Sequence, residues 1–325
     1  MLHVHILDLP DGEGLEILQR HLLPGIAVTA GDVIETAVPH ILVGGRPSRA
    51  QLAANPQLHT LIIPWAGLPG STRTLLADFP HISVHNLHHN AAPVAELTLS
   101  LLLAAARFIV PFDQALRRGD WRPRYNRPGP SVLLAGKTAL VLGYGAIGQR
   151  VARLCRALDM RVLATRRSQS TPEEDGVATI YPAAALLDLL PQSHALLICL
   201  PLTTQTEGLI GAAELASLAR PSLLINIGRG LIVDEGALYT ALQSGELHAA
   251  GLDVWYNYPS DEASRAATLP GNYPFHELPN VVLSPHRGGG SDETAVLRMT
   301  QLADLLNAAV RGEPLPNRVD IARGY

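Results

Sequence analysis

Two side chains with complementary chemistry stand just past apolar, strand-like runs. Arg229 follows Leu223–Gly228 in INIGRG, and His286 follows Val281–Ser284 in LSPHRGG. Open α/β sheets bind ligands outside the carboxyl ends of their strands, so both residues sit where such a sheet works. Adding a hydride to a ketone needs a cation to hold a carboxylate and polarise the carbonyl. It also needs an acid to protonate the new alkoxide, and a group to orient that acid. A guanidinium and an imidazole supply the first two. Taken singly, each residue reads as a solvated loop side chain, and the argument rests on the pair.

The second set is a glycine turn. Thr138–Leu142 is an apolar run ending in Gly143-Tyr144-Gly145-Ala146-Ile147-Gly148, followed by an amphipathic helical pattern and a second apolar run, Arg161–Thr165. Strand, turn, helix and strand in that order give a GxGxxG match its meaning. The first glycine makes the turn, the second admits a pyrophosphate, and the third lets helix pack on strand. The helix N-terminus then offers N–H groups and a positive dipole end. Where a site for NAD places a carboxylate, this sequence has Thr165, Arg166 and Arg167. A guanidinium can grip a 2′-phosphate, and charge-assisted bonds of roughly 1.5–3 kcal/mol each favour NADP by about tenfold to a hundredfold. The expectation is NADP(H), with NAD the less favoured cofactor; two solvated arginines at a strand end is the competing reading.

The elements that must position these groups read as α/β throughout. Apolar runs at Leu2–Leu7, Ile26–Ala30, His40–Val43, Thr60–Pro64 and Ile82–His85 alternate with helical patterns near Gly14–His21, Ser48–Ala54 and Ser71–Asp78. A long helix is expected from about Pro93 through Phe108, and after it a basic loop with Arg117, Arg118, Arg122, Arg124 and Arg127. Strands at Ala195–Leu200, Leu223–Gly228, Ala249–Val254 and Val281–Ser284, with a helix at Asp234–Gln243, complete a doubly wound nucleotide domain. A last helix near Asp292–Val310 returns to the first domain, which makes that domain discontinuous: residues 1–92 and 292–325 against 93–291.

Composition sets bounds. With 325 residues, 47% of them hydrophobic, and a net charge of −4, the chain suits two domains and offers no basic field for nucleic acid. Cys155 and Cys199, the two cysteines, read as buried thiols of a reducing compartment. The start, LHVHIL, reads as a strand rather than a signal peptide. The longest apolar stretch, Leu97–Val110, is interrupted by Arg107 and too short for a bilayer. The expected location is the cytoplasm, with no membrane contact.

GYGAIG, PLTTQTEGLI, INIGRGLIVDEGAL, GLDVW and LPNVVLSPH, with VAELTLSLLLAAAR and RRGDW, resemble the D-isomer-specific 2-hydroxyacid dehydrogenases. The resemblance implies two Rossmann-like domains with doubly wound parallel sheets, the nucleotide domain inserted in a flavodoxin-like substrate domain, a cleft active site and a homodimer. It implies that Arg229 binds the carboxylate and carbonyl of a small 2-oxoacid and that His286 is the general acid/base. Trp65, Ala66 and Gly67 would meet the substrate. Val94, Gly143, Tyr144, Gly145, Ala146, Ile147, Gly148, Thr165, Arg166, Arg167, Leu200, Pro201, Thr206, Ile227, Gly228, Asp253 and Gly288 would line the cofactor.

One departure stands out. The family usually carries a Glu just before the proline of the stretch that here reads Asp253-Val254-Trp255-Tyr256-Asn257-Tyr258-Pro259, and Tyr258 occupies its place. A carboxylate raises the pKa of a neighbouring His and fixes its tautomer, and a phenol does only the second. Three outcomes are open: Tyr258 orients a less basic His286; Asp261, Glu262 or Glu277 reaches in; or the site is weakened or adapted to another substrate. Trp65, Tyr256 and Tyr258 could form an aromatic wall, and Arg287 could add a second cation. His85, His88 and His89 read as polar loop residues rather than metal ligands. The principal reading is an NADP-preferring 2-oxoacid reductase. A nucleotide-sensing dimer of corepressor type is the alternative.

Overall fold

A computed structural model of the protein describes residues 1–7, 13–34, 39–53, 55–126 and 129–324. The chain divides into two compact units, residues 1–90 with 290–325, and residues 91–289.

The first unit opens with β1 (Leu2–Ile6), α1 (Gly14–His21), β2 (Ile26–Ala30), β3 (Ile41–Val43), α2 (Arg49–Ala53), β4 (Thr60–Ile63), α3 (Gly70–Leu76) and β5 (Ser83–Asn86). Its five strands are all parallel, in the order β2-β1-β3-β4-β5, the flavodoxin-like arrangement. Short unbroken apolar runs become such strands because both faces are covered. Along the strands, Val4, Ile6, Ile41, Val43 and Ile62 face one core, while Leu42, Leu61, Ile63 and Val84 face another. Ala54 of the expected second helix and Arg127 of the basic stretch lie outside the described residues.

The second unit begins with α4 (Ala91–Arg107), α5 (Ile109–Arg117) and α6 (Arg122–Tyr125). The expectation of one helix through Phe108 followed by a loop is corrected here. Phe108 takes a left-handed φ of 54°, and α5 leaves α4 at 66°. No single helix among the described residues is long and apolar enough to cross a membrane. The arginines of the stretch pair locally, Arg117 with Asp113 and Arg122 with Asp120.

Then come β6 (Thr138–Leu142), α7 (Ala146–Ala157), β7 (Arg161–Arg166), β8 (Glu173–Glu174), β9 (Thr179–Pro182), α8 (Leu186–Leu189), β10 (Ala195–Ile198), α9 (Ala212–Ala216), β11 (Leu223–Asn226), α10 (Glu235–Ser244), β12 (Ala249–Leu252) and β13 (Val281–Leu283). The sheet order is β13-β12-β11-β10-β6-β7-β9-β8, parallel except for β8. The order reverses between β6 and β10, which is where a doubly wound sheet opens its ligand crevice. Helix ends follow local chemistry: the Asp234 carboxylate accepts from Ala237 N at 2.7 Å to start α10, and Gly245 at φ 76° ends it. Residue 294 starts the last helix, α11 (Thr294–Val310), which packs on α1. Asn307 there accepts from Leu23 N and donates to His21 O, both at 2.8 Å. The β8–β9 hairpin was not expected, because Glu173–Glu174 carries no apolar alternation.

Candidate active site

β6, β10, β11, β12 and β13 run parallel and side by side, so the loops that follow their last residues gather along one edge. That edge carries the glycine turn, Leu200–Thr206, Arg229, Asp253 with Tyr258, and His286.

In the glycine turn, Gly143 has φ 94°, and the N–H groups of Gly143 and Tyr144 both donate to Thr165 O, at 3.2 and 3.0 Å. A Cβ on Gly148 would lie 2.0 Å from Gly143 O, whereas one on Gly145 would meet nothing within 4 Å. Gly145 also has a negative φ of −95°. The fold therefore does not need a glycine there. What needs it is space above the N–H groups of Ala146, Ile147 and Gly148, the donors that open a helix without intrahelical partners. An open, donor-lined cradle of this kind fits a pyrophosphate.

Tyr144 does not face that cradle through its side chain. It is buried, and its hydroxyl donates to Asp175 Oδ2 at 2.5 Å. Burial and this bond push the phenol well above its usual range. Thr165 is buried, while Arg166 and Arg167 are exposed at the end of β7. The sequence shows no carboxylate at that strand end, but the fold brings Asp175 to the same phenol on which the Arg166 charge acts. Beside the turn, Thr206 donates through Oγ1 to Pro201 O at 2.7 Å and closes the loop after β10.

Arg229 is presented by a braced loop. Asn226, buried at the end of β11, accepts from Gly228 N at 3.0 Å and donates to Arg229 O at 2.9 Å. A Cβ on Gly228 would stand 2.5 Å from Leu200 O, so this loop lies directly on the one after β10. The guanidinium itself is exposed and donates to Gly228 O at 2.7 Å. Sequence reasoning missed Asn226; its one signal was an amide among apolar strand residues.

The His286 loop hangs on Asp253. That buried carboxylate accepts from Ser284 Oγ at 2.5 Å and Arg287 N at 2.8 Å through Oδ1, and from Gly288 N at 2.9 Å through Oδ2. Trp255 Nε1 donates to Ser284 O at 2.7 Å. Held from both sides, His286 adopts a left-handed φ of 58°. Three accepted bonds leave Asp253 one lone pair, on Oδ2. A Cβ on Gly288 would come within 2.9 Å of that oxygen.

Tyr258 meets the imidazole: its hydroxyl lies 2.9 Å from His286 Nδ1 and accepts from Trp255 N at 3.1 Å. The His286 pKa is lowered by desolvation and by the Arg229 charge, against an opposing pull from Asp253. The other proposed carboxylates are engaged elsewhere, Asp261 with Ser260 and Ser264, Glu262 with Arg265, and Glu277 beside His276. Tyr256 does not join an aromatic wall: it stacks on Phe275 and donates to Val233 O at 3.0 Å.

In the first unit, Trp65, Ala66 and Gly67 follow β4. Arg46 lies 5.8 Å over the Trp65 ring, and Asn86 Nδ2 donates to Ala66 O at 2.6 Å. His85 is not a loop residue: it is buried in β5 with Nδ1 2.8 Å from Pro316 O. His89 is largely desolvated beside Arg298 and His88, with its pKa lowered to about 4. Burial pushes the Cys155 thiol up to about 12.

Comparison with known proteins agrees with this geometry. Residues 99–288 match the family described as D-isomer specific 2-hydroxyacid dehydrogenase, NAD binding domain. A glyoxylate reductase of Aeropyrum pernix is 39% identical over 230 residues, 70% of this chain and 65% of that protein. A glyoxylate/hydroxypyruvate reductase B of Erwinia tasmaniensis is 31% identical over 319 residues, 98% of this chain and 93% of that protein. The crystal structure of a D-isomer specific 2-hydroxyacid dehydrogenase from Xanthobacter autotrophicus, in complex with NADPH and MES, superposes with a TM-score of 0.78 at 27% identity, covering 99% of this chain and all of that one. A family match running from within α4 to Gly288, and a relative aligned almost end to end, agree with the turn, the sheet order and the loops: the chain belongs to the D-isomer specific 2-hydroxyacid dehydrogenase family.

Proposed function

We propose that the protein is an NADP-preferring oxidoreductase that reduces a small 2-oxoacid to its D-2-hydroxyacid. The observation that carries this reading is the placement of Arg229 and His286 after β11 and β13, on either side of β12, at the sheet edge that also bears the Gly145 cradle, with the Arg229 charge acting on the imidazole. Bound NADPH would supply the hydride. The N–H groups of Ala146, Ile147 and Gly148 would hold its pyrophosphate, and Arg166 and Arg167 its 2′-phosphate. Val94, Leu200, Pro201, Ile227, Gly228 and Gly288 would shape the walls, and the remaining lone pair of Asp253 would accept from the carboxamide.

The Arg229 guanidinium grips the substrate carboxylate with its planar fork and polarises the ketone. Charge growing on the ketone oxygen is met by that cation and by the imidazole, and His286 delivers the proton from Nε2. Trp65, Ala66 and Gly67 are the proposed substrate-contacting residues of the first unit, which makes residues 1–90 and 290–325 the substrate domain and 91–289 the nucleotide domain.

The protein acts as a homodimer in the cytoplasm. The exposed side chains of Ile109, Leu116, Trp121 and Tyr125 on and around α5 and α6 support a dimer face on the nucleotide unit. Relatives named as reductases, and the Xanthobacter complex with NADPH, support the reaction and the cofactor. The sensor reading has no observation behind it.

The test is a panel of glyoxylate, hydroxypyruvate, pyruvate and phenylpyruvate with NADPH and NADH, followed by absorbance. Turnover with at least one, faster with NADPH, is expected. Tight NADPH binding with no turnover would refute it.

A further inference from the structure

The phenol that stands in for a carboxylate does more than hold the imidazole. Tyr258 OH has two recorded partners, Trp255 N at 3.1 Å and His286 Nδ1 at 2.9 Å. A backbone N–H is a donor only, so Tyr258 must accept from Trp255. Among the described residues, the hydroxyl hydrogen then has one acceptor within hydrogen-bond distance, the Nδ1 of a neutral ring. A carboxylate in this place could only accept, and would force the opposite tautomer, Nδ1–H with a bare Nε2.

The geometry points to Tyr258 as a positioning residue that sets the tautomer of neutral His286 to Nε2–H, so that the resting imidazole offers a donor to a ketone oxygen. This inference rests on the reading that His286 Nε2 meets the substrate. The reacting proton still comes from the imidazolium: hydride goes to the carbonyl carbon, the Nε2 proton goes to the alkoxide oxygen, and solvent restores the proton. In the imidazolium Nδ1 carries a hydrogen, and the phenol turns its own hydrogen away and accepts. One neutral group thus serves both protonation states without moving.

Among the described residues of the second unit, the groups that act on the ring are Arg229 from the loop after β11, and Asp253 and Tyr258 from the stretch after β12. On its far side Tyr258 lines a cavity of about 380 Å³ with Arg265 and His276, and Arg265 is paired with Glu262. Tyr258 orients rather than relays: burial and the Asp253 charge raise its pKa against the pull of Trp255 N–H and Arg229, so it keeps its proton. The lowered His286 pKa means that the neutral ring, whose tautomer is at issue, is the resting state near neutral pH.

The experiment reads the ring directly, by long-range proton–nitrogen correlation spectra of the full-length protein labelled with nitrogen-15 histidine, beside kcat and KM for 2-oxoacid reduction across pH. Wild type is expected to show His286 chiefly as Nε2–H above its titration midpoint. Tyr258→Phe keeps the ring but loses the hydroxyl. It should give a tautomer mixture and a kcat about tenfold lower with KM changed less than threefold. Tyr258→Glu should flip the ring to Nδ1–H, raise its midpoint by a unit or more, and carry reduction to correspondingly higher pH. A wild-type ring that is Nδ1–H, or a tautomer unaltered in both variants, overturns the inference and leaves the reductase reading standing. Expected spectra with no turnover of any 2-oxoacid overturn the reductase reading and leave the tautomer assignment standing.

Discussion

Replacing Gly145 and Gly148 separately by alanine tests whether the open space over α7 belongs to a phosphate. At Gly145 an added methyl meets no atom within 4 Å, and the backbone, at φ −95° and ψ −157°, accepts an L residue. The folded state loses nothing, while the unfolded chain loses freedom, so Gly145→Ala should stabilise by about 0.4–1 kcal/mol. For a unit of this size that raises Tm by about 1–4 °C. At Gly148 the same methyl falls 2.0 Å from Gly143 O and 3.0 Å from its carbonyl carbon. Turn and helix must part by roughly 1 Å, and overpacking of that kind costs about 1–3 kcal/mol or more. The two variants therefore move Tm in opposite directions. Binding separates them again, because the Gly145 methyl projects where a pyrophosphate must approach the N–H groups of Ala146 and Ile147. Losing one charge-assisted contact of about 1.5–3 kcal/mol weakens NADPH binding by about tenfold to a hundredfold. Thermal melts and NADPH fluorescence titrations read both effects. Wild-type NADPH affinity in Gly145→Ala, with the fold intact, would refute the placement of the cofactor.

Arg229→Lys should leave Tm unchanged, since the side chain is exposed, and should lower kcat/KM for 2-oxoacid about a hundredfold, because an ammonium cannot reproduce the bidentate fork. Arg166→Ala with Arg167→Ala should cut the NADPH-to-NADH ratio of kcat/KM by about tenfold or more, and an unchanged ratio would remove both residues from cofactor choice. Asp253→Asn turns an amide NH₂ toward groups that are themselves donors, so at least one bond to the His286 loop is lost. Both kcat and Tm should fall, by steady-state assay and calorimetry. His89 makes stability depend on pH: its folded pKa of about 4 lies below the ordinary 6.5, so the unfolded chain binds the extra proton. Its contribution is complete above pH 6.5 and is lost as pH falls toward 4; His89→Gln should flatten the Tm-against-pH curve there.

What was legible in the sequence follows from what each element buries. The parallel strands are covered on both faces, so they survive as unbroken apolar runs such as Thr138–Leu142 and Leu223–Asn226. The turn after β6 was legible because three glycines at fixed spacing answer to geometry. The bend at Phe108 was not, since apolar residues continue across it and the break lies in one left-handed φ. Nor were the contacts that brace the site. Tyr144 with Asp175 and Asp253 with Ser284, Arg287 and Gly288 join residues more than 30 positions apart, and no periodicity records such a pair. Tyr256 and Tyr258 differ by two positions beyond the end of a strand, where alternation no longer says which side faces the core.

Those braces also explain how an acid–base partner can change while its imidazole stays in place. The backbone of the His286 loop is held by Asp253 through the hydroxyl of Ser284 and the N–H groups of Arg287 and Gly288, and by the Trp255 indole through Ser284 O. None of these bonds involves Tyr258. The loop that carries Arg229 is held separately, by Asn226. Position 258 therefore bears on the chemistry of the ring at Nδ1 and little on where the ring sits. A carboxylate there would stabilise the imidazolium; a phenol leaves it less stable and leaves the neutral form a hydrogen-bond donor. On the proposed mechanism, exchanging one for the other changes the pH at which the site works and the tautomer it rests in, with the scaffold untouched, because the charge that fixes the loop lies on Asp253 and the charge proposed to grip the substrate lies on Arg229.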